Sequence, residues 1–256
     1  MTITEAVEHL DLENIAETMR KTGFDCVENV LGSGELAELR TQAHNAVHAT
    51  GNEYAYLAGE ALEGTLIGEL GHSSRMNAVL ARLYEEAVGA PPAPEEVVHP
   101  ALRCLLGQTG AAESLRFHFD SYMVTGLLPV VIPTSGRCGD FLYYPNLRRV
   151  RRSAAVNVAE KALIQNPAST RLVASNLHRS LQPPRRLELV PGNLYLFWGY
   201  RTLHGNDRCD PEQLRATALF HFGDPHRTNP LVRMIQRRVQ TRTRRSGPPN
   251  GAPSNS

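Results

Sequence analysis

No run of about 18 apolar residues occurs in the 256-residue chain, so a membrane-spanning helix is not expected; the longest apolar stretch, Leu127 to Ile132, has only strand length. Cysteine is scarce, and Cys26, Cys104, Cys138 and Cys209 lie far apart with no C-x-x-C pair. That spacing excludes a cysteine-based zinc framework and reads as free thiols in a reducing cytosol. The opening MTITEAVEHLDLE lacks the basic and apolar regions of a signal peptide, which adds to the expectation of a cytoplasmic protein. Net charge is nearly absent too: 27 basic and 26 acidic side chains leave +1, no global reason for a polyanionic partner.

What charge there is lies unevenly. Residues 1–100 carry 5 basic and 17 acidic side chains (net −12), residues 101–225 carry 15 and 9 (+6), and residues 226–256 carry 7 and 0 (+7). The mildly basic second half favours an acidic small-molecule substrate. A nucleic-acid binder shows a concentrated basic face or a known motif. Here most of the terminal charge falls in RMIQRRVQTRTRRSGPPNGAPSNS, which reads as a solvated tail, so nucleic acid is not expected. With 41% hydrophobic residues the chain can bury a sizeable core. The expected organisation is one catalytic domain over 1–240 and a flexible basic Pro/Gly/Ser tail over 241–256.

Hydrophobic periodicity predicts helices over Leu12–Thr22, Ser33–Ala49 and about Ser74–Val88, with a strand over Gly23–Leu31. The Pro-rich APPAPEE reads as a connector. Beyond Pro100 the pattern changes to short apolar runs: Leu102–Leu106, Leu115–Val124, Leu127–Ile132, Asp140–Tyr144, Leu187–Val190, Asn193–Trp198 and Arg215–Phe222. Such a series predicts an antiparallel sandwich or barrel over 96–225, with residues 1–95 as a mainly helical support packed on one sheet. An Ala/Leu/Asn-rich stretch, about 150–185, interrupts the strands and reads as an insertion able to cover a pocket.

The most informative tripeptide is His118-Phe119-Asp120, because side chains two apart on a strand share a face and can hold one ion. An imidazole, a carboxylate and a distant second imidazole make a facial triad, which leaves coordination positions open. The candidate third ligand, His204, follows the strand-like Pro-Gly-Asn-Leu-Tyr-Leu-Phe-Trp and precedes Gly205. Eleven residues later, Arg215 and Thr217 share a strand face, where a guanidinium and a hydroxyl can jointly meet a carboxylate.

This ordered set, His-x-Asp, Pro-Gly-x-Leu-x-x-Phe, His-Gly and Arg-x-Thr, resembles the iron(II)/2-oxoglutarate-dependent dioxygenases, in particular the phytanoyl-CoA-hydroxylase-like group. The motifs cover residues 100–225, and GFDCVENVLGSGELAELR is similar to the family's opening strand and helix. The resemblance implies a mainly β fold with flanking α: a double-stranded β-helix (jelly-roll or cupin-like) core. It also implies Fe(II) on His118, Asp120 and His204, and 2-oxoglutarate as cosubstrate on Arg215 and Thr217. O2 would be consumed, CO2 and succinate released, and hydrogen abstracted from the substrate. Related halogenases have a small residue in place of the metal carboxylate, so Asp120 favours hydroxylation, with desaturation and cyclisation left open. The substrate expected is an amino acid or natural-product intermediate.

Bland readings stand beside these. Arg215 is able to pair with Glu212 or Asp210, and Arg116, which shares strand parity with His118, is equally suited to a substrate acid or a rim salt bridge. Arg103 or Gln108 could meet the cosubstrate's other carboxylate. One of Tyr143 and Tyr144 should face inward, and Tyr144 and Arg137 join Arg116 as candidate substrate contacts. His221 is expected at a rim, Trp198 in the core, Cys138 as an incidental thiol, and the arginines within 148–152 on a solvated turn. A non-catalytic cupin-like metal module with a partner-binding basic tail is the alternative class. A zinc hydrolase would share the ligands but leave Arg215 without a reason.

Overall fold

The structure, a computed structural model, describes residues 10–148 and 183–224. The expected insertion, the arginine cluster and the basic tail lie outside the described residues except at their edges.

Helix α1 (Leu12–Thr22) starts where the Asp11 carboxylate accepts the Asn14 N–H and stops at Gly23, whose φ of 98° supplies the left-handed cap. In α2 (Ser33–Ala49) the Glu35 carboxylate reaches back to the Gly32 N–H. Two more helices, α3 (Leu66–His72) and α4 (Ser74–Val88), meet at Ser73, whose hydroxyl caps the second. Three of these helices have the predicted bounds. The short α3, and α5 (Gly107–Ala112), were not expected; both are too brief to show a helical repeat.

The strands are β1 (Phe24–Val27), β2 (Ala55–Ala58), β3 (His99–Leu105), β4 (Val124–Val131), β5 (Phe141–Tyr144), β6 (Arg185–Leu187), β7 (Leu194–Phe197), β8 (Leu203–Asn206) and β9 (Arg215–Phe222). They form a six-stranded sheet, ordered β1-β7-β4-β9-β3-β2, and a three-stranded sheet, ordered β6-β5-β8. All pairings are antiparallel. A backbone bridge between His118 and His204 adds a further extended segment beside β8. From β3 onward the chain passes repeatedly between the two sheets, with β5 and β6 both in the small one, which makes a double-stranded β-helix. One correction concerns Leu115–Val124, expected as a continuous strand: a bend at Ser121–Met123 breaks it, so the His118 segment joins the small sheet while β4 crosses to the large one.

Strand alternation sets two environments. Leu128 and Val130 of β4, Leu194 and Leu196 of β7, and Ala216, Ala218, Phe220 and Phe222 of β9 join Leu39, Ala43, Leu80 and Leu83 in the core between helices and large sheet. The residues between them point into the space between the sheets. There Leu127, Phe141, Tyr143, Tyr195 and Phe197 form a second cluster, and Arg215, Thr217, Leu219 and His221 face a cavity. Trp198 is fully buried, donating its Nε1–H to the Leu83 carbonyl at 3.2 Å, and so ties the loop before β8 to α4. No helix among the described residues is long and apolar enough to cross a membrane.

Candidate metal centre and active-site cavity

His118, Asp120 and His204 converge, with one donor atom from each lying within 4.8 Å of the others. Asp120 Oδ1 is 3.5 Å from both His118 Nε2 and His204 Nε2. An ion with bonds of about 2.1 Å to ligands at right angles needs separations of about 3 Å, so a small inward adjustment completes the site. Each imidazole is oriented through its other nitrogen: His118 Nδ1 is 3.0 Å from the Arg116 carbonyl and His204 Nδ1 2.9 Å from the Thr202 carbonyl. Carbonyls only accept, so both Nδ1 atoms carry a hydrogen and both Nε2 atoms face the centre.

Asp120 is held as a single-oxygen donor. Its Oδ2 accepts the Thr125 hydroxyl at 2.5 Å, and His221 Nδ1 lies 3.2 Å from the same hydroxyl oxygen. The threonine has spent its only hydrogen on the carboxylate, so His221 must donate. Behind the carboxylate, Asp120 N–H bonds the Gly199 carbonyl at 3.0 Å, and a Cβ at Gly199 would sit 2.1 Å from Oδ2. Gly199→Ala is therefore expected to displace Asp120 and lower metal affinity by about 10–100-fold, as loss of a supporting contact does. Metal titration of the folded variant checks this, and an unchanged affinity would contradict it.

Electrostatics match this geometry. Burial alone would raise the Asp120 pKa, but His204, His118 and His221 outweigh it and hold the carboxyl well below the usual carboxylate range. Burial pushes His204 down to about 4, so it is neutral at physiological pH. At His118 burial acts downward, yet the adjacent Asp120 carboxylate prevails and raises the pKa. An arriving ion must displace that proton, so affinity is expected to rise with pH through the raised His118 pKa. Calorimetry near pH 6.5 in buffers of different ionisation enthalpy should show proton release on ion binding; no release would contradict the assignment.

The centre opens into a cavity of about 690 Å³. Arg215 lies on its wall, 2% exposed, and donates its Nε–H to the Gly139 carbonyl at 2.8 Å. No salt bridge from Arg215 forms among the described residues, and Asp210, one suggested partner, pairs with Arg137 instead. Burial pushes the guanidinium down to about 10, which leaves it charged and in need of an anion. Thr217 lies beside it on β9, and Arg103 of β3 pairs in register with Thr217. Arg103 donates to Asn206 Oδ1 at 3.0 Å and to the Glu113 carbonyl at 3.3 Å.

Arg116 lines the cavity and forms an ion pair with Glu113. Three candidates fall elsewhere. Tyr144 packs with Phe117, Leu142 and Leu203 on the far face of the small sheet, because alternation turns Tyr143 inward and Tyr144 out. Arg137 and Gln108 line a separate depression. His221, expected at a rim, is half-buried on the cavity wall behind Asp120 and stacks on Tyr122. Thr125, Tyr54, Tyr56 and Glu113 were missed. The tyrosines flank or sit in β2, a four-residue strand within the presumed helical region, while Thr125 touches Asp120 only because the chain bends between them.

Similarity in three dimensions is pronounced. SnoK, a non-haem α-ketoglutarate-dependent carbocyclase from nogalamycin biosynthesis, superposes with a TM-score of 0.56 at 15% identity, covering 85% of this chain and 86% of its own. The chain has the fold of the 2-oxoglutarate-dependent oxygenases. The epimerase SnoN, solved with Fe3+, α-ketoglutarate and nogalamycin RO, shares this oxygenase fold (TM-score 0.53, 17% identity, 83% of both chains). So does HygX from Streptomyces hygroscopicus, solved with nickel and 2-oxoglutarate (0.54, 15%, 82% of this chain and 86% of that one). No protein-family model matches the chain, and no curated protein sequence does either.

Proposed function

We propose that this protein is an iron(II)- and 2-oxoglutarate-dependent oxygenase that hydroxylates a C–H bond of a small molecule. The observation that carries this reading is that a preformed His-Asp-His triad and a buried guanidinium without a carboxylate partner among the described residues open into one cavity. A metal site alone suits many chemistries; the uncompensated Arg215 adds the demand for an anionic partner beside it. Bound iron with 2-oxoglutarate would supply oxygen activation coupled to loss of CO2 and formation of succinate.

The chain's own residues supply the rest. His118, Asp120 and His204 would hold the ion on one face, leaving the opposite positions for cosubstrate and oxygen. Arg215 and Thr217 would bind the far carboxylate of 2-oxoglutarate, and Arg103 lies close enough in register to assist with a carboxylate. Leu127, Phe141, Phe197 and Leu219 give the cavity apolar walls that limit water. Because Asp120 fills the third ligand position, hydroxylation is favoured over halogenation. At the mouth Glu113 spans Arg103 and Arg116, leaving one positive charge in excess, which suits an acidic substrate. The cavity volume suits a metabolite-sized molecule.

Anaerobic addition of Fe(II) and 2-oxoglutarate should produce a weak visible charge-transfer band. A folded protein that gives no band would refute the reading. A substrate screen read by succinate release and product mass, with His118→Ala as control, would then identify what is oxidised.

A further inference from the structure

Two of the four cysteines, 71 residues apart (209 − 138 = 71), face each other. Cys138 and Cys209 form an antiparallel bridge linking the segment before β5 to the one after β8. The flanking hydrogen bond, from Asp210 N–H to the Arg137 carbonyl at 3.1 Å, marks the cysteines as a non-hydrogen-bonded pair. Opposed residues of that kind have Cα atoms about 4.5 Å apart and side chains on one side. Disulfides span Cα separations of about 4.4–6.8 Å. Both thiols are free, Cys138 partly accessible and Cys209 buried. The Cys138 sulfur is turned toward the Ser135 and Gly136 carbonyls at 3.6 Å, so bonding requires rotation about its Cα–Cβ bond together with movement of the Cys209 sulfur.

We propose that Cys138 and Cys209 form a reversible disulfide that controls the Arg215 site for 2-oxoglutarate; the consequence for the cosubstrate rests on the function proposed above. The link runs through Gly139. This residue follows Cys138, adopts φ +72°, and gives its carbonyl to Arg215 Nε–H. A Cβ there would lie 2.2 Å from the Cys209 sulfur and 2.8 Å from Arg215 Cδ, so sulfur, glycine backbone and arginine stem are packed together. Drawing the Cys209 sulfur toward Cys138 removes it from that contact and shifts the carbonyl that orients the guanidinium. Burial raises the Cys209 pKa, which keeps that thiol protonated and makes the more accessible Cys138 the point of attack.

With a peroxide as oxidant, the Cys138 sulfur attacks one peroxide oxygen, giving a sulfenic acid and water. The Cys209 sulfur then displaces hydroxide from it, loses its own proton and forms the S–S bond with a second water. Two thiols and one H2O2 thus give one disulfide and two H2O, and a dithiol reductant reverses the change by thiol–disulfide exchange.

The test treats the full-length protein with stoichiometric hydrogen peroxide, maps peptides without reduction, and measures 2-oxoglutarate binding anaerobically with Ni(II) in the site. The expected result is a peptide joining residues 138 and 209, loss of two of the four free thiols, and at least a threefold weaker affinity that dithiothreitol restores. Cys138→Ser should bind 2-oxoglutarate like the reduced protein and ignore peroxide. Oxidation confined to separate sulfurs, or a linked protein with unchanged affinity, would overturn the proposal. If the reduced protein binds no 2-oxoglutarate the proposed function falls, whereas the peptide map still decides the disulfide.

Discussion

Replacing His204 with alanine is expected to lower metal affinity by more than about a hundredfold and to abolish metal-dependent turnover. Loss of a group that merely orients a ligand costs about 10–100-fold, and a ligand itself should cost more. His204 is nearly fully buried, fixed by the Thr202 carbonyl and by the rings of Phe141 and Phe197 at 5.5 and 5.0 Å, so no neighbour can swing in to replace it. His221 does not substitute, since its Nδ1 is engaged by Thr125 and stands 3.9 Å from the Asp120 oxygen that faces away from the centre. His204→Gln preserves much of the volume and guards against misfolding as the explanation. Metal content after dialysis checks the prediction, and a folded variant that retains stoichiometric iron would remove His204 from the site.

Arg215→Leu carries the second large effect. A charge-assisted hydrogen-bonded pair contributes about 1.5–3 kcal/mol, so 2-oxoglutarate affinity should fall by about 10–150-fold while metal affinity is retained. The same change should cost the unliganded protein little, because it removes a buried cation with no carboxylate partner among the described residues. The signature is a thermal midpoint near or above wild type that 2-oxoglutarate no longer raises. Unchanged cosubstrate affinity would refute the role of Arg215, and a collapse of the unliganded fold would show it to be structural.

Much of the scaffold is legible from local signals. Asp11, Ser73, Gly23 and Gly89 mark helix ends because a cap is set by a few adjacent residues. His118, Asp120 and His204 stand out because their spacing matches a chemical requirement, and Arg215 and Thr217 because a strand repeats every two residues. The same alternation could not tell Tyr143 from Tyr144, since both are apolar enough for either side of the small sheet, and only pairing with β8 decided between them. The bend at Ser121–Met123 escaped notice because nothing in Leu115–Val124 besides Ser121 breaks an extended pattern.

The chain's order of residues by itself determined the three long helices, the antiparallel β class and three candidate metal donors, which depend on short-range periodicity or on chemical type. Tertiary structure alone decided which groups stand behind them. Thr125, His221 and Gly199 gather at one carboxylate, Glu113 links two arginines, and Cys138 meets Cys209 across two segments. The physical reason is that such contacts arise from the crossing of strands between sheets, where partners distant along the chain meet in a register no local pattern encodes.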